Sequence, residues 1–383
     1  MRPRWNYFAS AKLLALLLVM ATPLQAAKSL VFIGTYTEGS ESEGIYRFRF
    51  DDETGALSPA GTAGISTNPS FLALHPQKNL LFAVGETRDF NGSDCGSLAA
   101  FEIDPSTGEL AEINRVSSSG GIPCHLVTDR EGKHLLVANY HGGNVAVVPV
   151  GEDGKLGARS AFVQHEGSSV DKSRQESPHA HSINLDRANR RAFAADLGTD
   201  ELVIYEFDRG RGTLERSGAV DIAPGSGPRH LAIRPDGKFL YLLNELKSTL
   251  TVIAYEPGSG DCEQLQTIST LPGDYRGANG TAEVQITPDG RFLYASNRGH
   301  DSLACFRIDA DSGRLTLIEI QPTGGSAPRN FGIHPGGRFI IAANQNSDSL
   351  RVFAIDQASG ELEDTGHSAR CPKPVCVKFF TPK

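Results

Sequence analysis

Short apolar runs separated by polar turns recur along almost the whole chain. In the first recurring pattern, two apolar runs flank a polar turn that contains glycine, as in DDETGALS, DPSTGELA and DADSGRLT. Glycine suits such turns because it adopts positive φ without strain. The repeat length of roughly 50 residues is enough for four strands and their connections. The glycines of the seven turns are Gly55, Gly108, Gly154, Gly212, Gly260, Gly313 and Gly360.

A second pattern alternates with the first. It is a short strand, a turn rich in proline, aspartate and glycine, and a second strand ending in polar residues, as in GPRHLAIRPDGKFLYLLNE. Six copies are complete, and the seventh is divided between KPVCVKFF near the C-terminus and SLVFIGTY near the N-terminus. Pairing the two termini in one blade hides both edges of a closed ring. An open solenoid, the alternative, needs no complementary half-repeats at its ends.

These patterns predict one all-β domain, a seven-bladed β-propeller over residues 28–383, closed by pairing of its N- and C-terminal strands. The preceding residues follow a different pattern, in which the basic Arg2 and Arg4 precede an apolar run at 13–21 and small residues follow. That order is typical of a secretory signal peptide. We expect residues 1–27 to be this signal and the protein to be exported, periplasmic or secreted, without membrane insertion after cleavage. An uncleaved anchor is the alternative.

Composition narrows the classes of function. The formal net charge is −8 and 21% of the residues are charged, so the chain lacks the basic surface that nucleic-acid binding requires. No glycine-rich loop stands between a strand and a helix, which argues against a dinucleotide cofactor. No GxSxG motif is present, which argues against a covalent serine mechanism. We expect no cofactor, a small-molecule partner, and a monomer or weak dimer.

In each blade the start of the first strand and the end of the second lie on the same face of the disc. Aligned at these places, the repeats carry polar residues that differ from blade to blade, so we expect a ligand funnel there. The recurrent Asn139, Asn244, Asn297 and Asn344 are interpreted as architecture. The candidate site residues are His125, Tyr140, His179, His181, Arg229, His230, Glu245, Arg298, Arg329, Asn330 and Gln345.

The stretch QESPHAHSINL places two histidines two residues apart on a predicted strand. A metal site would need further ligands, and the expected arginines make the funnel a poor place for a divalent cation. We therefore predict no metal. An acid/base role for His181 is the main hypothesis and packing is the alternative, while His179 is expected to orient its neighbour.

The arginines Arg229, Arg298 and Arg329 suggest an anionic ligand or a developing oxyanion, because guanidinium binds carboxylate and phosphate in a fork. Salt bridges to local carboxylates are the alternative. Glu245 would activate water or hold the His181 imidazole in a useful tautomer.

Several motifs in order resemble the lactonase family of seven-bladed propellers. They are QESPHAHS, ANYHGGNVAV, ADLGTDELVIY, GPRHLAIRPDGKFLYLLNEL, RFLYASNRGHDSL and APRNFGIHPGGRFIIAANQNSD. The family is typified by the propeller type of 6-phosphogluconolactonase and includes fungal carboxymuconate-lactonizing relatives. The resemblance implies metal-free opening or formation of a lactone. It assigns the catalytic roles of the lactonizing branch to His181, Arg229, Glu245 and Arg298.

The resulting hypothesis is an exported lactonase, a carboxylic ester hydrolase, with His181 or Glu245 as base and arginines stabilising the oxyanion. The remaining candidates listed above would bind the substrate, which is 6-phosphogluconolactone or unphosphorylated gluconolactone. Two alternatives stay open. One is a noncatalytic propeller that binds or scaffolds in the envelope, and the other is a lactone-forming cyclase of the carboxymuconate type.

Overall fold

The computed structural model describes residues 1–4 and 28–383. The segment that carries most of the predicted signal peptide, 5–27, lies outside these residues, so that interpretation stays a prediction. The described residues form 28 strands arranged as seven four-stranded antiparallel sheets, with one short 3-10 turn at Gln345–Ser347. The all-β, seven-bladed propeller predicted from the repeats is confirmed.

The strands follow one another in the same order in every blade. The first three strands of the chain are β1 (Lys28–Thr35), β2 (Gly44–Asp51) and β3 (Leu57–Ile65). The next blade comprises β4 (Leu72–Leu74), β5 (Leu80–Gly85), β6 (Ser97–Ile103) and β7 (Leu110–Ser117). It is followed by β8 (Pro123–Thr128), β9 (His134–Asn139), β10 (Asn144–Pro149) and β11 (Ala161–Gln164). Then come β12 (Ala180–Leu185), β13 (Arg191–Asp196), β14 (Glu201–Asp208) and β15 (Thr213–Asp221).

The remaining strands complete the ring. The fifth blade comprises β16 (Pro228–Ile233), β17 (Phe239–Asn244), β18 (Thr249–Tyr255) and β19 (Cys262–Ser269). The sixth comprises β20 (Gly280–Ile286), β21 (Phe292–Arg298), β22 (Ser302–Ile308) and β23 (Leu315–Pro322). The last strands are β24 (Pro328–Ile333), β25 (Phe339–Asn344), β26 (Ser349–Ile355), β27 (Leu362–Arg370) and β28 (Pro374–Phe380).

The ring closes where β28 pairs with β1. The antiparallel register runs from Leu30 opposite Phe380 to Thr35 opposite Pro374. The C-terminal strand is thus the innermost strand of the blade that β1, β2 and β3 complete. Both termini of the array are paired, which removes the open edges that an incomplete ring would expose.

Burial differs between the strands of a blade, and the second strand is more deeply buried than the outermost one. The second strands β5, β9, β17 and β25 are buried at every position. Outermost strands such as β27 alternate between exposed and partly buried residues, as expected for a sheet with one face toward water. The turns between the third and fourth strands of the blades contain the seven repeated glycines. All seven have φ between 67° and 89°, which confirms the predicted turn chemistry.

The recurrent asparagines are structural. Asn139, Asn244, Asn297 and Asn344 are fully buried at the ends of their strands. Asn297, for example, donates to the carbonyl of Thr270 at 2.9 Å and to the hydroxyl of Ser302 at 3.2 Å. These bonds tie the end of the second strand to neighbouring connections of the propeller. Their predicted architectural role is confirmed.

Within the part of the chain that the structure describes, no helix is long and apolar enough to cross a membrane. The six cysteines are free thiols, and five of them are buried.

Candidate active site

A cavity of about 350 Å³ opens on the face where the first strands begin and the second strands end. This is the face on which sequence alignment of the repeats placed the funnel. Its lining side chains are mostly charged or hydrogen-bonding. They are Glu86, Ile122, Cys124, Tyr140, Arg174, His181, Arg229, Glu245, Arg298 and Arg329.

In four of the blades, a β-bulge at the start of the first strand places one residue in this cavity. In β16, Pro228 pairs with Asn244 and His230 pairs with Leu243, which leaves Arg229 as the extra residue. His181 is the corresponding residue of β12. Bulges turn a side chain away from the direction that strand alternation would give it. Cys124 and Arg329 occupy the same position in their blades.

His181, Arg229 and Glu245 form a contiguous group at the centre of the cavity. Arg229 Nη1 lies 2.5 Å from His181 Nε2 and donates to Glu245 Oε2 at 2.5 Å. Its Nε donates to the carbonyl of Ala282 at 2.8 Å, which fixes the plane of the guanidinium. His181 Nδ1 lies 3.5 Å from the sulfur of Cys124. Both sides of the imidazole are therefore held in place.

Glu245 accepts from three guanidinium groups. Arg229 and Arg298 reach Oε2, the latter at 3.1 Å, while Arg174 donates to Oε1 at 2.8 Å. Arg298 also donates to the carbonyls of Gly280 and Thr281. A carboxylate in such surroundings is strongly anchored.

These contacts set the protonation states. Burial alone would raise the pKa of Glu245, but the positive charges of Arg229 and Arg298 outweigh it and hold that pKa well below its usual range. Burial lowers the pKa of His181 well below the ordinary value for histidine, and the charge of Arg229 lowers it further. At neutral pH the site therefore holds an ionised carboxylate beside a neutral imidazole.

A second polar group lies beside Arg329. The Tyr36 hydroxyl donates to Glu86 Oε1 at 2.9 Å, and the Ser70 hydroxyl also donates to Glu86. The Arg329 guanidinium carbon stands 5.3 Å from the centroid of the Tyr36 ring, an arrangement in which a cation interacts with an aromatic face. Arg329 lies within the cavity, as predicted.

Tyr140 also lines the cavity, and the ring of His179 packs against the ring of Tyr140. The two rings stack with centroids 4.5 Å apart, and His179 Nδ1 lies 3.0 Å from the Tyr140 carbonyl oxygen. The Tyr140 ring meets His181 edge-on at 5.1 Å. His179 itself is not part of the cavity lining; it contacts the ring that packs against His181.

Three predicted substrate-binding residues lie one layer deeper along the channel. His125 and His230 line a separate cavity of about 360 Å³. Asn330 donates to Glu283, whose Oε1 lies 3.3 Å from His230 Nδ1. Each of the three residues follows a bulged position, so its side chain points away from the funnel. None of the three lines the larger cavity, which differs from their expected placement. His230 and Asn330 do share a gap of about 10 Å³ with Arg229 and Arg329, and the substrate-binding role of all three stays a prediction.

Gln345 is also outside the cavity. It begins the 3-10 turn after β25, and its backbone N–H donates to the carbonyl of Ala327 at 3.0 Å. The alignment of strand ends placed it in the funnel, but the turn carries it past the rim.

Arg174 was missed by sequence reasoning. It belongs to the long connection 165–179 between β11 and β12, and its Nη2 reaches both Glu245 and, at 3.3 Å, the Tyr140 hydroxyl. A strand-based alignment has no column for a residue in a connection. The position of Arg174 just before the PHAHS motif was the one feature of the sequence that could have indicated its role. In residues 1–4 and 28–383, no three His, Cys, Asp or Glu side chains are grouped as a metal site would require.

Fold and cavity together define a class: a seven-bladed propeller whose axial funnel combines a neutral histidine, a buried carboxylate and several arginines. The family profile described as "Lactonase, 7-bladed beta-propeller" matches residues 30–379. The chain therefore belongs to the seven-bladed β-propeller lactonase family. The carboxylic ester hydrolase class expected from the sequence is confirmed at the level of this family.

Individual relatives agree with this assignment. The 6-phosphogluconolactonase of Bacillus subtilis is 37% identical over 353 residues, which cover 92% of this chain and 99% of that protein. The 6-phosphogluconolactonase of Formosa agariphila is 35% identical, covering 79% of this chain and 86% of its own. The solved structure of a periplasmic gluconolactonase from Pseudomonas aeruginosa has a TM-score of 0.87 at 37% identity, covering 93% of this chain and 100% of its own.

Proposed function

We propose that this protein is an exported lactonase that opens a sugar lactone, either 6-phosphogluconolactone or unphosphorylated gluconolactone, by attack of water. The observation that carries the proposal is the convergence of His181, Arg229, Glu245 and Arg298 in one cavity of about 350 Å³, a size suited to a small ligand. The names of the Bacillus and Pseudomonas relatives support both substrate alternatives.

In the proposed mechanism, the water displaces Arg229 Nη1 from His181 Nε2, and Arg229 stays bound to Glu245 and to the Ala282 carbonyl. His181 Nε2 then takes a proton from the water as the water oxygen bonds to the lactone carbonyl carbon. The imidazole suits this role because its lowered pKa keeps it neutral at neutral pH. Glu245 Oε2, 3.9 Å from His181 Nε2, stabilises the imidazolium that forms. Both oxygens of Glu245 stay paired with guanidinium groups, so we assign the carboxylate this stabilising role rather than that of the base.

The arginines act on the oxygen of the carbonyl group. As the tetrahedral intermediate forms, negative charge develops on that oxygen, and Arg298 and Arg329 are the guanidinium groups placed to stabilise it. Before the water binds, Arg229 holds His181 and Glu245 together. Collapse of the intermediate breaks the ring C–O bond, and the ring oxygen takes the proton from His181. The product is an open-chain hydroxy acid.

The remaining expectations belong to the same proposal. Export to the periplasm or the medium is supported by the signal-like N-terminal sequence and by the periplasmic relative. The proposed partner is the lactone alone, and the protein is proposed to act as a monomer or weak dimer.

The test is hydrolysis of 6-phosphogluconolactone and glucono-δ-lactone by the purified mature protein, measured against the spontaneous rate. We expect acceleration of at least one lactone and its loss in Glu245→Gln. A protein that accelerates neither lactone contradicts the proposal and favours a binding propeller.

A further inference from the structure

Arg174 is fixed at the mouth of the cavity by a well-anchored connection. In the segment 165–179, the Ser169 hydroxyl donates to Asp200 at 2.6 Å, and Gln175 Nε2 donates to the carbonyl of Leu197 at 2.9 Å. The backbone N–H of Gln175 also donates to the carbonyl of Asp171 at 2.7 Å. These bonds anchor the backbone on both sides of Arg174.

Arg174 is the most exposed of the guanidinium groups that contact Glu245. Its side chain is 39% exposed, against 4% for Arg229 and 19% for Arg298. An incoming ligand therefore meets Arg174 first. Replacing Glu245 as the partner of Arg174 also requires less desolvation than replacing it at Arg229 or Arg298, because those guanidinium groups are more deeply buried. Its ion pair with Glu245 Oε1 is the one that a ligand can replace without disturbing the buried groups below.

The cavity carries more positive than negative charge. Its lining contains four guanidinium groups and two carboxylates, those of Glu86 and Glu245. His181 adds no charge at neutral pH because burial lowers its pKa. The surplus favours an anionic ligand over a neutral one of the same shape, and guanidinium binds phosphate in a fork.

We propose that Arg174 determines substrate specificity by binding a phosphate group that the lactone carries away from its ring carbonyl. This inference rests on the proposed lactonase function and assigns to Arg174 the choice between its phosphorylated and unphosphorylated substrates. Binding exchanges the Arg174–Glu245 ion pair for an Arg174–phosphate pair. Glu245 keeps Arg229 and Arg298 as partners, so the central group stays intact during the exchange.

The test compares Arg174→Met with Lys172→Met, a change in the same connection that removes the same charge. Lys172 is exposed, and its ammonium donates to the carbonyl of Ser169 rather than into the cavity. For each protein, kcat/KM is measured with 6-phosphogluconolactone and glucono-δ-lactone. We expect kcat/KM for 6-phosphogluconolactone, divided by kcat/KM for glucono-δ-lactone, to fall about 10- to 100-fold in Arg174→Met. That is the loss typical of one charge-assisted contact. Lys172→Met should keep the wild-type ratio.

Inorganic phosphate provides a second readout that does not depend on turnover. We expect phosphate to bind the wild-type protein and Lys172→Met in calorimetry, and its affinity to fall at least about 10-fold in Arg174→Met. An equal loss on both lactones, with unchanged phosphate affinity, would overturn the inference and leave Arg174 as a positioning residue for Glu245. Wild-type protein inactive on both lactones would contradict the proposed function instead, and phosphate binding would then decide the role of Arg174 alone.

Discussion

Arg229 Nη1 lies 2.5 Å from Glu245 Oε2, and the two side chains are only 4% and 7% exposed. Charges this deeply buried are stable only when each has its partner, because removing one partner leaves the other uncompensated in a medium that solvates it poorly. The same Arg229 nitrogen contacts His181 Nε2. One guanidinium thus organises the two groups that the proposed reaction needs.

Replacing Arg229 with alanine should lower kcat/KM by about 100- to 1000-fold, comparable to the loss of an oxyanion-hole donor. The variant also leaves Glu245 with a vacant acceptor, so its thermal stability should fall. Arg229→Lys keeps the charge but cannot contact His181, Glu245 and the Ala282 carbonyl at once, so we expect recovery of stability without full recovery of activity. Near-normal turnover in folded Arg229→Ala would contradict the assignment.

The pH dependence of glucono-δ-lactone hydrolysis should report the base. The pKa of His181 is lowered by burial and by Arg229. A base must be unprotonated, so kcat/KM should rise with an inflection below pH 6.5 and stay level above it. Glucono-δ-lactone is the right substrate for this profile because it has no phosphate to titrate near pH 6. An inflection above pH 6.5, or one that persists in His181→Asn, would rule out this role for the imidazole.

Glu245 should also contribute to stability in a pH-dependent way. Its folded pKa is depressed by Arg229 and Arg298 despite burial. The stabilisation is therefore complete above the unfolded pKa of about 4.3 and is lost as pH falls toward the folded value. Glu245→Gln should lower the free energy of unfolding by about 3–5 kcal/mol at pH 7. Denaturant titrations at pH 7 and about pH 3, well below the unfolded pKa, should show this difference shrinking at the lower pH. A constant difference would mean that charge is not its source.

Much of the architecture could be predicted because it repeats. The seven glycine turns and the divided blade follow from backbone constraints that every blade shares, and the pairing of Leu30 with Phe380 realises the predicted closure. The central group was also predictable, since His181 and Arg229 stand at aligned strand starts whose residues differ from blade to blade. What repetition cannot show is local departure from the repeat.

The bulges are one such departure. Sequence alignment assigned both residues at each strand start to the funnel, yet Arg229 enters it while His230 lies in the deeper cavity. The alternation of apolar and polar residues along a strand does not reveal where a bulge inserts an extra residue. Arg174 is another departure, because its position depends on how a connection folds over the face rather than on any strand. Side chains on connections are set by contacts distant in sequence, here with Glu245.

A repeated turn glycine should be more sensitive to substitution than a glycine within an outer strand, because its backbone and surroundings leave no room for a side chain. Gly313 has φ 67°, and a Cβ there would collide with the ring of Phe239. Gly313→Ala should therefore destabilise the protein by about 1–3 kcal/mol, with little change in kcat of the folded molecules. Gly218→Ala is the matched control, since nothing lies near the position of its added Cβ. Equal melting temperatures for the two variants would show that the turn is not constrained as described.

Closure of the ring should be tested by removing its last strand. Deletion of residues 374–383 takes away β28, the innermost strand of its blade, and exposes the edge of β1. It also removes Val377 from the core cluster that contains Val31 and Ile33. We expect insoluble or unfolded protein, because a propeller with an unpaired inner edge loses both its sheet hydrogen bonds and its buried surface. Deletion of 381–383 alone removes three exposed residues and should leave solubility and the melting temperature near those of the full chain. If the longer deletion folds and melts like the shorter one, the strand pairing is not what holds the ring closed.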